Sequence, residues 1–212
     1  MSSATRSTER RGNRLLEVLA VALLGVATIG SAWCGYQATR WNGEESDLAR
    51  ESSRVQVEAA RQFGLATQIV SYDTNTISQY ANAAAADNTA LQAFYRETLI
   101  RPEFLPILDR WEQQVAAGST PENLISDQEY LDAQLEPYRE TETRAEALSL
   151  EAQAAGNEAD DYVLTTLILA SALFFAGLTT SFRVRFARLL LLGGSSLLIA
   201  YAAARLVDLS IA

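Results

Sequence analysis

The amino-acid sequence predicts an all-α membrane protein with three transmembrane helices and an extracytoplasmic helical hairpin or bundle between the first and second. Three observations predict it. Apolar residues concentrate in three runs, arginines cluster in two short segments beside those runs, and residues 36–160 contain no stretch that alternates apolar and polar side chains as a strand would. The chain has 212 residues, a net charge of −9 and a mean hydropathy of +0.00. That neutral mean averages a lipid-compatible material with an acidic, water-compatible one.

Residues 1–14 form a basic tail with Arg6, Arg10, Arg11 and Arg14 against Glu9. The first span is 15–35. Leu15 to Cys34 is twenty residues with one charge, Glu17. At 1.5 Å per residue that reaches about 30 Å, the thickness of a bilayer's hydrocarbon core. Gly30-Ser31-Ala32 offers small residues for signal cleavage, but the run exceeds the roughly 7–15 residues of a signal core. Trp33, Tyr36 and Trp41 read as interfacial anchors of a retained span. Trp33 is too large for a lipoprotein processing site, so Cys34 reads as a buried small residue.

Residues 36–160 carry nine arginines against 22 acidic residues, a net charge of −13. Trp41, Leu48, Val55 and Ile69 recur on a seven-residue frame that Gln62 interrupts, and Ser52, Ala59 and Ala66 fall four residues later on the same frame. Phe63, Val70 and Ile77 widen the apolar face, giving a helical pattern of large and small layers. Ala83 to Asn88 continues the helix or turns, with Asp87-Asn88-Thr89 able to cap the next helix. Pro102 and Pro106 punctuate a short amphipathic segment with Phe104, Ile107, Leu108 and Trp111, and Gly118-Ser119-Thr120-Pro121 reads as a loop. Ser126-Asp127 caps a last helix with apolar Leu131, Leu135, Tyr138, Ala145, Leu148, Ala152 and Ala155, and Pro137 kinks that helix or marks its start. Two long helices, each running into a span, would pair antiparallel with shorter helices at the far end. Alanine-rich faces bury little area at about 25 cal/mol per Å², so self-association or a partner is expected.

The second span, 161–182, has no charge from Tyr162 to Phe182. A basic cytoplasmic loop, 183–188, carries Arg183, Arg185 and Arg188. The third span, 189–208, is uncharged for only sixteen residues, about 24 Å, and needs Arg188 and Arg205 to snorkel to the two interfaces. Residues 209–212 end the chain outside. With both basic segments on one face, the positive-inside rule places the N-terminus in the cytoplasm, and the acidic region and C-terminus outside. Each span carries a small-residue stripe: Ala27, Ser31 and Gly35; Ala172, Ala176 and Thr180; Ser196, Ala200 and Ala204. Such stripes let helices approach closely, within one chain or between copies.

Chemistry is mostly excluded by composition. All 17 basic residues are arginine, there is no His, and there is one Cys. Facing carboxylates, Glu44, Glu45, Asp47, Glu51 and Glu58 against Glu136, Glu140, Glu142, Glu146 and Glu151, resemble a two-metal bundle only superficially, because that site requires Glu-x-x-His. A solvated acidic face is the better reading, with surface pairs such as Asp47 with Arg50 and Glu140 with Arg144. No Gly-x-Ser-x-Gly, Gly-rich phosphate loop or calcium loop is present. No cofactor, metal or catalytic residue is expected, and no nucleic-acid partner. The spans lack mid-membrane charge, against ion-coupled transport.

The most unusual soluble feature is Phe94, Tyr95, Arg96, Arg101, Phe104, Arg110 and Trp111. It closes the bundle end as a small core, or it is a docking surface of the aromatic and arginine kind that dominates interfaces.

Ser31 to Ala38 with Trp41 and Gly43-Glu44, Phe94-Tyr95 with Arg101-Pro102-Glu103-Phe104 and Trp111, and Asp161 to Leu164 leading into Leu173 to Gly177 together resemble a family of uncharacterised bacterial three-span membrane proteins of this size and layout. The likeness covers residues 31–183. It departs at Glu97-Thr98-Leu99-Ile100-Arg101, where an arginine-rich run is expected before the Pro-Glu-Phe. The resemblance implies a bacterial inner membrane and nothing catalytic. The leading expectation is a non-enzymatic scaffold in the bilayer, homo-oligomeric or bound to another membrane or envelope protein. A ligand-sensing module without its own output domain comes second, and an accessory channel or transporter subunit third.

Overall fold

The computed structural model describes the backbone of residues 3–119, 127–182 and 184–212, with side chains for Arg14 and from Leu16 onward. These residues are helical, with no strand among them: α1 (Ser3–Ala85), α2 (Thr89–Phe94), a π-helical turn (Tyr95–Leu99), a 3-10 turn (Pro102–Phe104), α3 (Leu105–Ala116), α4 (Gln128–Leu178) and α5 (Arg185–Asp208). Of these, α1, α4 and α5 are long and apolar enough to cross a membrane. Two compact units contain the chain, Met1–Arg50 with Ser149–Ala212, and Glu51–Leu148. Their boundaries fall inside α1 and α4, not at the hydropathy transitions near 35 and 160.

In the first unit, α1 and α4 run antiparallel, since rising numbers on one meet falling numbers on the other. Gly30 faces Leu169, Cys34 meets Thr166, Gln37 meets Tyr162, and Glu45 lies over Gly156. A Cβ on Gly30 would lie 3.0 Å from the tip of the Leu169 side chain, which would have to shift to admit it. Small side chains carry the contact on both helices: Ala27, Cys34 and Ala38 on α1, and Ala155, Ala159, Ala172 and Ala176 on α4 are buried. The third helix packs through Leu192, Ser195 and Ala202, and the Ser195 hydroxyl donates to the Ala172 carbonyl at 3.0 Å.

In the second unit, the same two helices pair antiparallel through Ser52, Val55, Ala59 and Ala66, against Ala145. The Ser52 hydroxyl donates to the Ala145 carbonyl at 2.9 Å. Gln62, which breaks the apolar frame in the sequence, accepts from the Thr141 hydroxyl at 2.7 Å, so its polarity is satisfied across the pair. Phe63 meets Tyr138 with ring centroids 5.2 Å apart.

Chain reversals arise from local chemistry. After α1, Asp87 takes a left-handed conformation (φ 53°) and the Asn88 N–H reaches back to the Ala83 carbonyl at 3.0 Å, closing the helix end. The Asn88 side chain then accepts from the Leu91 N–H at 3.1 Å and starts α2. The π-helical turn ends at Ile100, which is extended (ψ 127°), and Pro102 keeps Arg101 extended after it (ψ 146°). Gly118 (φ 69°) ends α3, its missing Cβ allowing the left-handed conformation at no steric cost. Asp127 caps α4 by accepting from the Tyr130 N–H at 3.0 Å. Thr120, Pro121 and Ser126, expected in the loop and cap, lie outside the described residues. Pro137 sits inside α4, nine residues past its first residue, Gln128, and does not mark its start.

Candidate functional site

The aromatic and arginine cluster, read as a small core or a docking surface, is largely a core. Ile77, Tyr80, Ile100, Phe104, Ile107, Leu108 and Tyr130 bury one another in the second unit, with Tyr95 and Trp111 packed against them. Phe104 is 2% exposed and stacks edge-to-face on Tyr130, centroids 5.1 Å apart. Reading Phe104 as a contact residue is therefore corrected: it closes the bundle end. Fully burying a side chain of this size contributes about 1.5–3 kcal/mol, which explains why the few large residues cluster here while alanines fill the helix pair.

The arginines of this region are also engaged internally. Asp73 is 3% exposed on the α1 frame, accepts from the Tyr130 hydroxyl, and lies 3.2 Å from Arg101 Nε. Arg101 thus serves a buried carboxylate. Arg96 reaches Glu112 at 2.9 Å and also pairs with Asp109. Arg110 bonds Asp127 at 2.9 Å, joining α3 to the start of α4. Burial, with help from Glu112, pushes the Tyr80 hydroxyl up to about 12, and burial raises that of Tyr130. Of the cluster, only Phe94 presents a large apolar surface, half exposed beside Tyr95.

Interfacial anchors divide into two groups in the first unit. Trp33 and Tyr36 are half exposed with rings 6.1 Å apart, and Arg14 and Arg185 are exposed. Arg183 lies outside the described residues. The others are engaged by partners within the chain. Tyr162 is 1% exposed and donates to the Ser210 carbonyl at 2.8 Å, which Trp41 Nε1 also reaches at 3.1 Å. Ser210 N–H donates to Glu158 at 3.3 Å, and Arg205 pairs with Asp161 at 2.5 Å. Together these clasp the end of α5 to α1 and α4. Arg188 is buried, donates from Nε to the Thr179 carbonyl at 3.1 Å and lies 3.7 Å from Glu17. One end of the unit therefore gathers residues 17, 179 and 188, the other residues 41, 158–162 and 205–210.

In the first two small-residue stripes Ala27, Ala172 and Ala176 are fully buried, Ser31 and Gly35 are partly buried, and Thr180 is exposed. In the third, Ser196, Ala200 and Ala204 are exposed, and α5 packs through the adjacent face of Leu192, Ser195 and Ala202.

The acidic residues are strung along helix surfaces. Among the described residues no group of three or more His, Cys, Asp or Glu is arranged to hold a metal ion. Asp47 pairs with Arg50 at 2.6 Å as expected, and Arg61 with Glu58 at 2.6 Å. Arg144 pairs across the helices with Glu51 at 3.9 Å, in place of the expected Glu140 on its own helix.

A groove of about 420 Å³ in the second unit was not foreseen. Ala59, Ala60 and Ala145 form its floor, Phe63 and Tyr138 its aromatic wall, and Gln56, Glu142 and Glu146 its rim. The Tyr138 hydroxyl donates to Glu142 at 2.5 Å, which raises the tyrosine's pKa. Phe63 was expected to widen a buried face and is half exposed instead. Comparison of the chain with family models, curated proteins and solved structures returned no match.

Proposed function

We propose that the chain is a non-enzymatic integral membrane protein of a bacterial inner membrane, a scaffold or interaction subunit that contacts another membrane or envelope protein. In this reading the acidic region is an extracytoplasmic helical hairpin, the N-terminus is cytoplasmic and the C-terminus is outside. The arginine-rich ends of the apolar helices support that orientation. The observation that carries the interaction role is exposed apolar surface on an otherwise acidic unit. Val57 (72%), Phe63, Leu65, Tyr72 and Phe94 all remain exposed there, while Arg96 and Arg101 at the tip pair with Asp109, Glu112 and Asp73. Large apolar side chains left exposed on a water-facing region are candidate points of contact.

Photo-crosslinking in intact membranes tests this. A benzophenone side chain at Val57, Leu65, Tyr72 or Phe94 in turn is expected to give a discrete adduct with one other protein. Labelling of lipid alone from all four positions would remove the interaction role.

A further inference from the structure

We propose that the groove between α1 and α4 at Phe63 and Tyr138 is the seat of a third helix, supplied by the partner as a basic amphipathic helix. This rests on the interaction role proposed above and names its surface and chemistry.

The seven-residue repeat supplies the first argument. Gln56, Phe63, Val70 and Ile77 share one flank of α1. Towards the tip that flank is covered: Ile77 is 3% exposed and Val70 packs with it, in a core completed by Phe104, Ile107 and Leu108 of the 3-10 turn and α3. One repeat earlier the same flank lies open, and Phe63 is 49% exposed beside Tyr138. An antiparallel helix pair covered over part of its length by the 3-10 turn and α3 leaves an open groove where that cover stops. Helix-in-groove docking reads such a surface through side chains three and four residues apart.

Charge supplies the second argument. Glu142 and Glu146 stand one turn apart on the rim, and no arginine lines this groove. The opposite flank differs: Arg54, Arg144, Glu58 and Glu140 line it together, with Arg54 paired to Glu51 and Arg61 to Glu58. An apolar floor under an unneutralised acidic rim complements a helix with small apolar residues on one face and Arg or Lys beside them. A second copy is the poorer occupant, because residues 51–148 carry seven arginines against sixteen acidic residues and would repel their like.

The test uses the full chain in nanodiscs of zwitterionic lipid and a labelled synthetic helix with Ala and Leu on one face and Arg flanking it, with a Glu-flanked version as control. Anisotropy should report binding of the Arg peptide only. Glu142→Gln with Glu146→Gln is expected to weaken it about tenfold, some 1.4 kcal/mol, and Phe63→Glu to abolish it. Glu58→Gln with Glu140→Gln removes the same net charge from the other flank and should leave affinity within about twofold. Equal loss in both charge pairs would reduce the binding to unspecific attraction and overturn the proposal. So would displacement of the peptide by choline, which would mark a small-cation site, or a wild-type dimer that Phe63→Glu dissociates. Crosslinks in cells from Phe94 or Leu65 but never from Ala60 or Phe63 would sink the groove alone; their absence everywhere would sink the interaction role as well.

Discussion

Replacing Tyr130 with phenylalanine asks whether a buried charge or apolar packing alone holds the bundle tip. Asp73 and Tyr130 are 3% and 6% exposed, and the tyrosine hydroxyl donates to one carboxylate oxygen while Arg101 Nε lies 3.2 Å from the other. Phenylalanine keeps the ring and its edge-to-face contact with Phe104, so only the hydroxyl is lost. A hydrogen bond to a charged group contributes about 1.5–3 kcal/mol. Because Arg101 still faces the carboxylate, the loss should be near 2 kcal/mol, within that range. Asp73→Asn does more, since it leaves Arg101 with Glu103 alone at 3.8 Å. Breaking a buried pair costs about 3–5 kcal/mol, and the 27% exposure of Arg101 puts the expectation at the low end. The double variant should fall short of additivity by about 0.5–3 kcal/mol. Hydrogen exchange of amides 95–108, on the full chain in nanodiscs, reads all three. A Tyr130→Phe loss below about 0.5 kcal/mol, with additive effects in the double variant, would refute the buried-charge account.

Alkali should loosen the same tip through Tyr80. Its folded pKa of about 12 exceeds the ordinary 10.0, so its contribution is complete below pH 10 and is lost as pH rises towards 12; absorbance at 295 nm against tip proteolysis tracks this, and ionisation near pH 10 would contradict it. Ala202→Leu should cost about 1–3 kcal/mol by overpacking a site with no exposure, whereas Ala200→Leu on the exposed neighbouring face should leave the detergent melting temperature unchanged. Deleting residues 209–212 removes the carbonyl shared by Trp41 and Tyr162 and should lower the stability of α5 docking by about 1–3 kcal/mol, read as faster proteolysis at 179–188. A reporter fused at Ala212 should be active outside the cytoplasm; cytoplasmic activity would invert the proposed orientation.

Much of the helix pair was legible because its signals are local and repeat. Ser52, Val55, Ala59 and Ala66 lie buried on the frame read from spacing, and Asp73, one repeat beyond Ala66, shares it. A carboxylate in that register is itself a signal of a buried partner, though nothing local says that Arg101 and Tyr130 supply it. Phe63 lies exposed because burial on a flank depends on whether another segment covers it, and the tip core takes in Val70 and Ile77 of this flank but not Phe63. Arg144 chose Glu51 over Glu140 because a facing helix brings a carboxylate as near as the next turn does.

Sequence alone determined that the chain is helical and that three helices are long and apolar enough to cross a membrane, since length, hydropathy and the absence of strand alternation are properties of contiguous residues. Tertiary structure decided which face of each helix is used. Neighbouring positions on a helix differ by about 100°, so Ser196, Ala200 and Ala204 are as small as Ser195 and Ala202 and yet point elsewhere. It likewise joined Tyr162, Trp41 and Arg205 in a clasp on the end of α5, contacts that no local pattern specifies. An amphipathic side chain suits a membrane interface and a polar contact between helices equally well, and only the neighbours brought up by the fold distinguish the two.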